Sequence, residues 1–293
     1  MSAVSEAGSQ RMTLGALAQR YGFDPEPDTI ANVTVTSLAD DVESVKPGAL
    51  FIARTPADIA ALPRAAQAGA YAALLPHSAR GRAGEYADLP LLFGSMDDHR
   101  LGELASVMAG APSNALAVFA VAGDDDATVS RDVEALGDLL HMLGNPVAVI
   151  SADGSRSMER PLDLTYPLGV LDVQRALAVC AEDGVAAAIV ALDSRTIAES
   201  GLESVVMDVL GTEDSAGRRM TLDDLHQRYG FAVDADMRLT VPTSESRQLS
   251  LEASMATGQG VSEPLALSIA MVLAAGVRRS NVRSALRVSK ELR

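Results

Sequence analysis

The chain has 293 residues, of which 48% are hydrophobic, and its formal net charge is −15 at pH 7. This length predicts two domains, and the negative charge argues against binding to nucleic acid or to anionic lipid. Because there is one cysteine, no zinc-ligand spacing among the four histidines and no apolar run long enough to span a membrane, we expect a cytoplasmic protein without a disulfide or a metal site.

Strands and helices alternate along the first part of the chain. Apolar spacing and turn residues predict helices at 13–21, 59–68 and 99–108, and strands at 33–37, 49–53, 71–75 and 89–93. Thr13 is the expected N-cap of the first helix, and Gly69 is expected to end the second. A turn-rich segment at 111–114 then predicts a boundary between domains at 1–113 and 114–293.

The second part of the chain contains longer apolar strands. We predict strands at 116–121, 146–151, 185–192 and 205–210, and helices from about 128 and at 170–182, 264–275 and 281–292. Near-continuous apolar strands between helices are typical of a parallel sheet covered on both faces. The predicted fold is therefore α/β, with a doubly wound, mostly parallel second domain.

The segment 116–130, LAVFAVAGDDDATVS, has the frame of a phosphate-binding loop without its chemistry. An apolar strand runs into Gly123, and a helical pattern begins near Thr128. A nucleotide-binding loop needs small residues, exposed backbone N–H groups and a lysine. The junction instead carries three aspartates at 124–126 and then Ala127. These carboxylates suit the helix dipole themselves and would repel a polyphosphate, so we expect no nucleotide cofactor.

One segment occurs twice. Residues 11–23 (RMTLGALAQRYGF) and 219–231 (RMTLDDLHQRYGF) are identical at ten of thirteen positions. The repeat predicts a duplicated helix that packs on a sheet edge, and the alternative is a duplicated docking element. The period is far too long for a solenoid.

Four further segments carry a family resemblance through their order and spacing. They are 41–53 (DVESVKPGALFIA), 65–70 (AAQAGA), 165–167 (TYP) with 174–177 (QRAL), and the helix pair at 264–286. In this order the chain resembles the Mur ligases, most closely the type that adds the third amino acid to UDP-muramyl-dipeptide. The resemblance implies a UDP-binding-like domain at 1–113 and an ATP-binding-like central domain at 114–293. It also implies that the family's C-terminal domain is missing.

Several positions depart from the family pattern in the ATP-binding segment. The family binds ATP through a G-T-x-G-K-[ST]-[ST] loop, of which Gly123 and Thr128 match while Ala127 takes the place of the lysine. The position of the family's magnesium-binding glutamate carries Ala191, and Arg195 stands where a histidine is expected. Phosphoryl transfer depends on positioning and charge neutralisation, so these losses predict that no ligase activity remains.

In the candidate substrate segments, the resemblance carries over Asp41 from the uridine-contact triplet, whose serine and arginine are replaced by Val42 and Glu43. Thr165 matches the segment T-T-P. Ser194 and Arg195 follow a buried strand, which is where ligands bind in open α/β sheets. A solvated turn at 193–195 is the alternative.

We therefore predict a catalytically inactive Mur-ligase-like protein that acts as a scaffold or regulator in peptidoglycan precursor synthesis or cell division. Its expected partner is a Mur ligase, a division protein or a second copy of the chain. The alternatives are a binding protein for UDP-muramyl peptide or a UDP-sugar, and a divergent ATP-dependent amino-acid ligase. The candidate residues are Gly123 and Thr128 for a cofactor and Asp41, Thr165, Ser194 and Arg195 for a substrate.

Three smaller features remain open from sequence. The aspartates at 124–126 could bind a hard cation, although three consecutive acids rarely converge on one ion. The basic C-terminal helix, with arginines at 278, 279, 283, 287 and 293 and Lys290, is either a solvated face or a contact for an acidic partner. Cys180 lies in an apolar helical stripe, which predicts a buried thiol.

Overall fold

The protein is described by a computed structural model that covers residues 10–85, 89–123, 125–213, 221–254 and 262–291. Two compact units divide the chain, Met1–Ala111 and Pro112–Arg293. The assignment of a UDP-binding-like and an ATP-binding-like domain to them stays a prediction. Within the described residues, no helix is both long and apolar enough to cross a bilayer.

The first unit is built on a five-stranded sheet. The strands of the whole unit are β1 (Met12–Thr13), β2 (Asp24–Glu26), β3 (Thr34–Val35), β4 (Ser37–Ala39), β5 (Ala49–Ile52), β6 (Ala70–Leu75) and β7 (Leu91–Phe93). Its helices are α1 (Leu14–Tyr21), α2 (Pro56–Ala60), α3 (Leu62–Ala68) and α4 (Asp98–Met108). The sheet order is β2-β7-β6-β5-β4, in which β4 to β7 are parallel and β2 is antiparallel at the edge, while β1 and β3 form a separate pair.

The helix predicted at 59–68 is two helices in the structure. Thr55 and Asp58 form a capping box that starts α2, earlier than the apolar pattern indicated. Proline in the first turn of α3 has no N–H to continue the hydrogen-bonding of α2, so the chain restarts a helix at Leu62. Gly69 ends α3 in a left-handed conformation with φ 111°, as predicted.

The second unit contains a seven-stranded sheet. Its strands are β8 (Ala117–Ala122), β9 (Val147–Ile150), β10 (Arg156–Ser157), β11 (Arg160–Pro161), β12 (Ala187–Leu192), β13 (Val209–Thr212) and β14 (Arg238–Thr240). Its helices are α5 (Asp126–Met142), α6 (Val170–Glu182), α7 (Leu222–Tyr229), α8 (Ser244–Ser254), α9 (Glu263–Ala274) and α10 (Arg279–Glu291). The order is β11-β10-β9-β12-β8-β13-β14, in which the last five strands are parallel and β10 and β11 form an antiparallel edge.

Both faces of this sheet are covered. Ala188, Val190 and Leu192 of β12 pack in one core cluster with residues of α6 and α7, and their neighbours along the strand pack in a second cluster with residues of α5, α9 and α10. Side chains of a strand alternate between faces, so a strand that is apolar throughout requires a layer of helices on each side. The prediction of a doubly wound, mostly parallel α/β domain is confirmed.

Several elements of the second unit differ from the prediction; β10, β11 and β14 were not predicted, and α5, β13 and α8 differ for identifiable reasons. Helix α5 begins two residues before Thr128, because Asp125 caps it. The strand expected at 205–210 forms at Val209–Thr212, since the N–H of Val205 bonds the carbonyl of Leu202 in a turn. Helix α8 was not predicted because its serine-rich sequence SESRQLSLEAS has few apolar residues and modest helix propensity.

The two copies of the repeat form the same capped helix. Thr13 caps α1 and Thr221 caps α7, and glycines in the left-handed conformation end both. Leu14, Leu17 and Tyr21 are buried in α1, and Leu225 and Tyr229 are buried in α7, where Leu222 is partly buried. Residues 219–220 of the second copy lie outside the described residues. The structure thus shows a capped helix with a buried face in both copies, and the choice between a helix that packs on a sheet edge and a docking element stays a prediction.

Candidate functional site

The chain changes face between two neighbouring strands of the second unit. Strands β8 and β12 lie side by side in parallel register. After β8 the chain enters α5, whose Val129 and Val133 pack on one face, whereas after β12 it runs through Ile197 and Leu202, which pack on the other. In open α/β sheets, ligands bind where successive connections leave to opposite faces, at the carboxyl ends of the strands. The loops after β8 and β12 therefore form the candidate site.

The loop after β8 is closed by its own side chains. Asp125 Oδ2 accepts hydrogen bonds from the N–H of Thr128 at 3.0 Å and from its hydroxyl at 2.8 Å. These bonds lower the pKa of Asp125, so its carboxylate is charged near neutrality. Arg131 Nη2 donates to the same hydroxyl oxygen at 2.7 Å. The N–H and hydroxyl of Thr128, a candidate cofactor residue from the sequence, are thus already engaged within α5.

Arg195 joins three strand ends. Its Nη1 and Nη2 each donate to Asp153, which follows β9, at 2.8 Å. Its Nε lies 3.1 Å from Asp126 Oδ2, in the first turn of α5 after β8. Ser130 donates a further hydrogen bond to Asp153. A single guanidinium therefore ties together the loops after β8, β9 and β12.

The contacts in this network shift the pKa values of both charged partners so that each stays ionised near neutrality. Hydrogen bonds from Arg195 and Ser130 lower the pKa of Asp153 to about 2, and the bonds to Asp153 raise the pKa of Arg195. One cation is thus shared between the carboxylates of Asp126 and Asp153. All three guanidinium nitrogens of Arg195 are bound to carboxylates.

A buried turn aims Arg195 toward the other loops. Asp193 is buried, and its Oδ1 accepts from the N–H of Arg195 at 2.9 Å and from the N–H of Thr196 at 2.8 Å. The hydroxyl of Thr196 accepts from the N–H of Ala152 at 2.9 Å, which ties the turn to the loop after β9. Ser194, between them, is exposed.

The segment with Thr165 lies along the same edge. Thr165 itself is exposed, but the hydroxyl of Tyr166 lies 2.5 Å from Ser155 Oγ, in the loop that follows β9. The N–H of Leu168 donates to the carbonyl of Thr196 at 2.8 Å. The structure therefore brings one set of predicted residues to one sheet edge: Gly123, Thr128, Thr165, Ser194 and Arg195.

A second concave feature lies in the first unit. A cavity of about 220 Å³ opens at the carboxyl ends of β5, β6 and β7, with Arg54 and His77 among its lining residues. Arg54 Nη1 lies 2.5 Å from Asp98 Oδ1, and His77 Nδ1 lies 3.8 Å from a carboxylate oxygen of Asp24. The sequence reasoning missed this pair, although both residues closely follow a predicted strand.

The predicted residue Asp41 follows the neighbouring strand β4 in the same unit. It is exposed, and its Oδ1 accepts from the N–H of Ser44 at 2.7 Å, which closes a tight turn. Its strand is parallel to β5, so Asp41 is at the sheet edge that carries the cavity.

Three features that the sequence left open are the aspartates at 124–126, the basic C-terminal helix and Cys180. Asp124 lies outside the described residues, and in the described part of the chain no group of three or more His, Cys, Asp or Glu residues could hold a metal ion. Two arginines of α10 pair within the unit, Arg279 with Glu245 at 3.2 Å and Arg283 with Glu252 at 3.1 Å. Cys180 is buried, as predicted.

Comparison with known proteins gives matches to ligases. No family model matches the chain. A stretch of 194 residues is 30% identical to the UDP-N-acetylmuramoyl-L-alanyl-D-glutamate–2,6-diaminopimelate ligases of two strains of Xanthomonas campestris pv. campestris, covering 63% of this chain and 37% of each relative. The matched part is thus well under half of those ligases.

Solved structures give the fold. A crystal structure of MurF from Acinetobacter baumannii aligns with 95% of this chain and 68% of the MurF chain, with a TM-score of 0.54 and 14% sequence identity. A second structure from the same organism is that of the UDP-N-acetylmuramoylalanyl-D-glutamyl-2,6-diaminopimelate–D-alanyl-D-alanyl ligase. It aligns with 96% of this chain and 69% of the ligase chain, with a TM-score of 0.52 and 14% sequence identity. The sequence comparison confirms the resemblance to the Mur ligases, and the solved structures show that the fold is shared.

Proposed function

We propose that this chain is a Mur-ligase-like protein of peptidoglycan precursor synthesis that does not carry out ATP-dependent ligation and acts as a scaffold or regulator. The observation that carries the proposal is the contact of Arg195 with Asp153 and Asp126 at the corner between β8 and β12. Nucleotide phosphates need unengaged N–H donors and positive charge at such a corner. Here Arg195 is bound by two carboxylates, Arg131 is bound to the hydroxyl of Thr128, and Ala127 stands where the lysine of the resembling loop would be.

A second observation supports the same proposal. The hydroxyl and N–H of Thr128 are both bound to Asp125, whose carboxylate stays charged near neutrality. A phosphate would have to displace that carboxylate and then tolerate its repulsion. Removing one electrostatic contact to a transition state commonly costs about 3–4 kcal/mol, and here alanine stands at the positions of both the lysine and the magnesium-binding glutamate, Ala127 and Ala191.

Calorimetry with ATP and Mg²⁺ tests the absence of nucleotide binding. We expect no heat of binding up to millimolar ATP, with an active diaminopimelate-adding ligase as the positive control. Phosphate release is then measured with ATP, UDP-muramyl-dipeptide and a mixture of amino acids. Micromolar ATP binding, or phosphate release that depends on the muramyl peptide, would establish a divergent ligase instead.

The scaffold role is tested by assembly with a defined partner. The full chain is mixed with the Mur ligases of its own cell, one at a time, and analysed by size-exclusion chromatography with light scattering. We expect co-elution with one ligase in the absence of nucleotide. If none co-elutes and no division protein is captured at stoichiometric amounts, the scaffold proposal is wrong.

The second candidate function is binding of a UDP-muramyl peptide without ATP. It is favoured by the cavity at the ends of β5 to β7, which is lined by Arg54 and by apolar residues. Arg54 pairs with Asp98 there, so a phosphate would compete with that carboxylate for the guanidinium. Calorimetry with UDP and with UDP-muramyl-dipeptide tests it. Arg54→Ala should abolish the heat of binding, whereas Arg64→Ala, an exposed arginine that pairs with Glu43, should leave it unchanged.

A further inference from the structure

Asp132 is a buried acid in the first half of α5. It is 1% exposed, and its neighbours Val129 and Val133 pack in the core cluster that also contains Ile269 and Met271 of α9. Neither of its carboxylate oxygens has a hydrogen-bond partner among the described residues. An ionised carboxylate in such a place costs several kcal/mol, whereas the neutral acid costs much less.

The groups that act on Asp132 increase this cost. Glu213, at the end of β13, and Glu263, in the first turn of α9, both carry the same charge as an ionised Asp132. Arg131, the next residue along α5, partly opposes them. Burial is the largest cause, and together these effects raise the pKa of Asp132 to about 7.

Within the described residues, Arg131 is the one cation that acts appreciably on Asp132. Strands β8, β9, β12 and β13 contain no charged residue. Helix α10 contributes Val282 and Leu286 to the shared core, while its Arg279 and Arg283 pair with glutamates of α8. Arg247 of α8 lies 3.2 Å from Glu263 and partly neutralises that group.

We propose that Asp132 is a proton-dependent contact between α5 and α9: its neutral form is packed between the helices, and its ionisation loosens the first turns of α5 from α9. Those turns carry Asp125 and Asp126, so the contact would make the corner at β8 and β12 sensitive to pH near neutrality. The inference does not depend on whether the corner binds a nucleotide.

Linkage gives the direction of the effect. A carboxyl whose pKa is raised by folding stabilises the folded state fully below its unfolded pKa of about 3.9, and this stability is lost as the pH rises to about 7. Within that window, the equilibrium constant for opening of the α5–α9 contact should increase by up to about tenfold per pH unit.

Hydrogen exchange of the full chain tests this proposal. Protection factors of peptides from α5 and α9 are compared between pH 5.5 and pH 7.5, after correction for intrinsic exchange rates. We expect protection in the wild type to fall by on the order of tenfold or more across this range. Asp132→Asn keeps the shape of the side chain but cannot ionise, so its protection factors should not change with pH.

Two further variants separate the proposal from a general effect of pH. Asp138→Asn removes an exposed acid of the same helix and should behave as the wild type. Glu213→Gln removes one repelling charge and so lowers the folded-state pKa of Asp132, which should make the loss of protection smaller and shift its end to lower pH. The proposal is overturned if Asp132→Asn keeps the wild-type pH dependence, or if the wild type shows none. Should Asp132→Asn fail to fold, the direction of the Glu213→Gln shift decides the matter, and no shift overturns it.

Discussion

The guanidinium of Arg195 holds the carboxylate of Asp153 through two hydrogen bonds of 2.8 Å, and this pair joins the loops after β12 and β9. A planar guanidinium matches both oxygens of a carboxylate at once, which gives the pair a defined geometry that a lysine would not provide. The same cation reaches Asp126 at 3.1 Å. The geometry of the candidate corner therefore depends on one residue.

Replacement of Arg195 tests this dependence. In Arg195→Ala we expect the pKa of Asp153 to rise from about 2 toward the usual 3.9, because the largest cause of its depression is removed. A depressed carboxyl pKa stabilises the folded state above about pH 3.9, and that stability is lost as the pH falls toward 2. The wild type should therefore gain stability between pH 2 and 4 that the variant lacks.

The measurement is a carboxyl NMR titration of Asp153, with acid unfolding followed by circular dichroism. Arg156→Gln is the matched control, because Arg156 pairs with Glu134 and not with Asp153. A value that stays near 2 in Arg195→Ala would mean that Ser130 alone sets the pKa of Asp153.

The two copies of the repeat should respond differently to loss of their caps. Thr221 forms a full capping box, since its hydroxyl accepts from the N–H of Asp224 at 3.1 Å and the Asp224 carboxylate accepts from the N–H of Thr221 at 3.1 Å. Thr13 accepts one bond, from the N–H of Ala16 at 3.2 Å. We expect Thr221→Ala to cost about 1 kcal/mol of local stability and Thr13→Ala about 0.5 kcal/mol.

Hydrogen exchange of peptides from α1 and α7 measures each cost separately in the full chain. Thr→Ser at the same positions serves as the control, because serine keeps the accepting oxygen. Equal losses in the two alanine variants would mean that the capping box adds nothing to a single bond.

The packing of Gly15 explains one difference between the copies. A Cβ on Gly15 would lie 3.0 Å from the carbonyl oxygen of Ala31, whereas the equivalent residue of the second copy, Asp223, is exposed. Gly15→Asp should therefore destabilise the first unit by about 1–3 kcal/mol through overpacking. Asp223→Ala should cost less than about 1 kcal/mol. Chemical denaturation checks both values, and a tolerated Gly15→Asp would show that the Ala31 segment shifts easily.

The thiol of Cys180 should be inert in the folded protein. Burial raises its pKa to about 12, so almost no thiolate forms at pH 8. A chromogenic disulfide reagent should label it only after addition of denaturant, at the rate of unfolding. Rapid stoichiometric labelling under native conditions would mean that α6 opens locally.

Sequence patterns predicted most of the elements because their signals are local. The apolar run of β12, the Thr13 cap and the stop at Gly69 each depend on residues close together in the chain. The same apolar runs also predicted that the parallel sheet is buried on both faces. Helix α8 was not predicted because its composition is mostly polar. It is stabilised by tertiary packing, in which Leu249 is buried.

The amino-acid sequence by itself determined the α/β class, the repeat, the Mur-ligase resemblance and the acidic character of the corner after β8, since these reside in composition, order and spacing. Only the tertiary structure decided that Arg195 meets Asp153 and Asp126, and that Asp132 is buried beside Glu213. The partners in these contacts lie tens of residues apart in the chain. Contacts at that separation depend on how strands are ordered in the sheet, which local patterns do not specify.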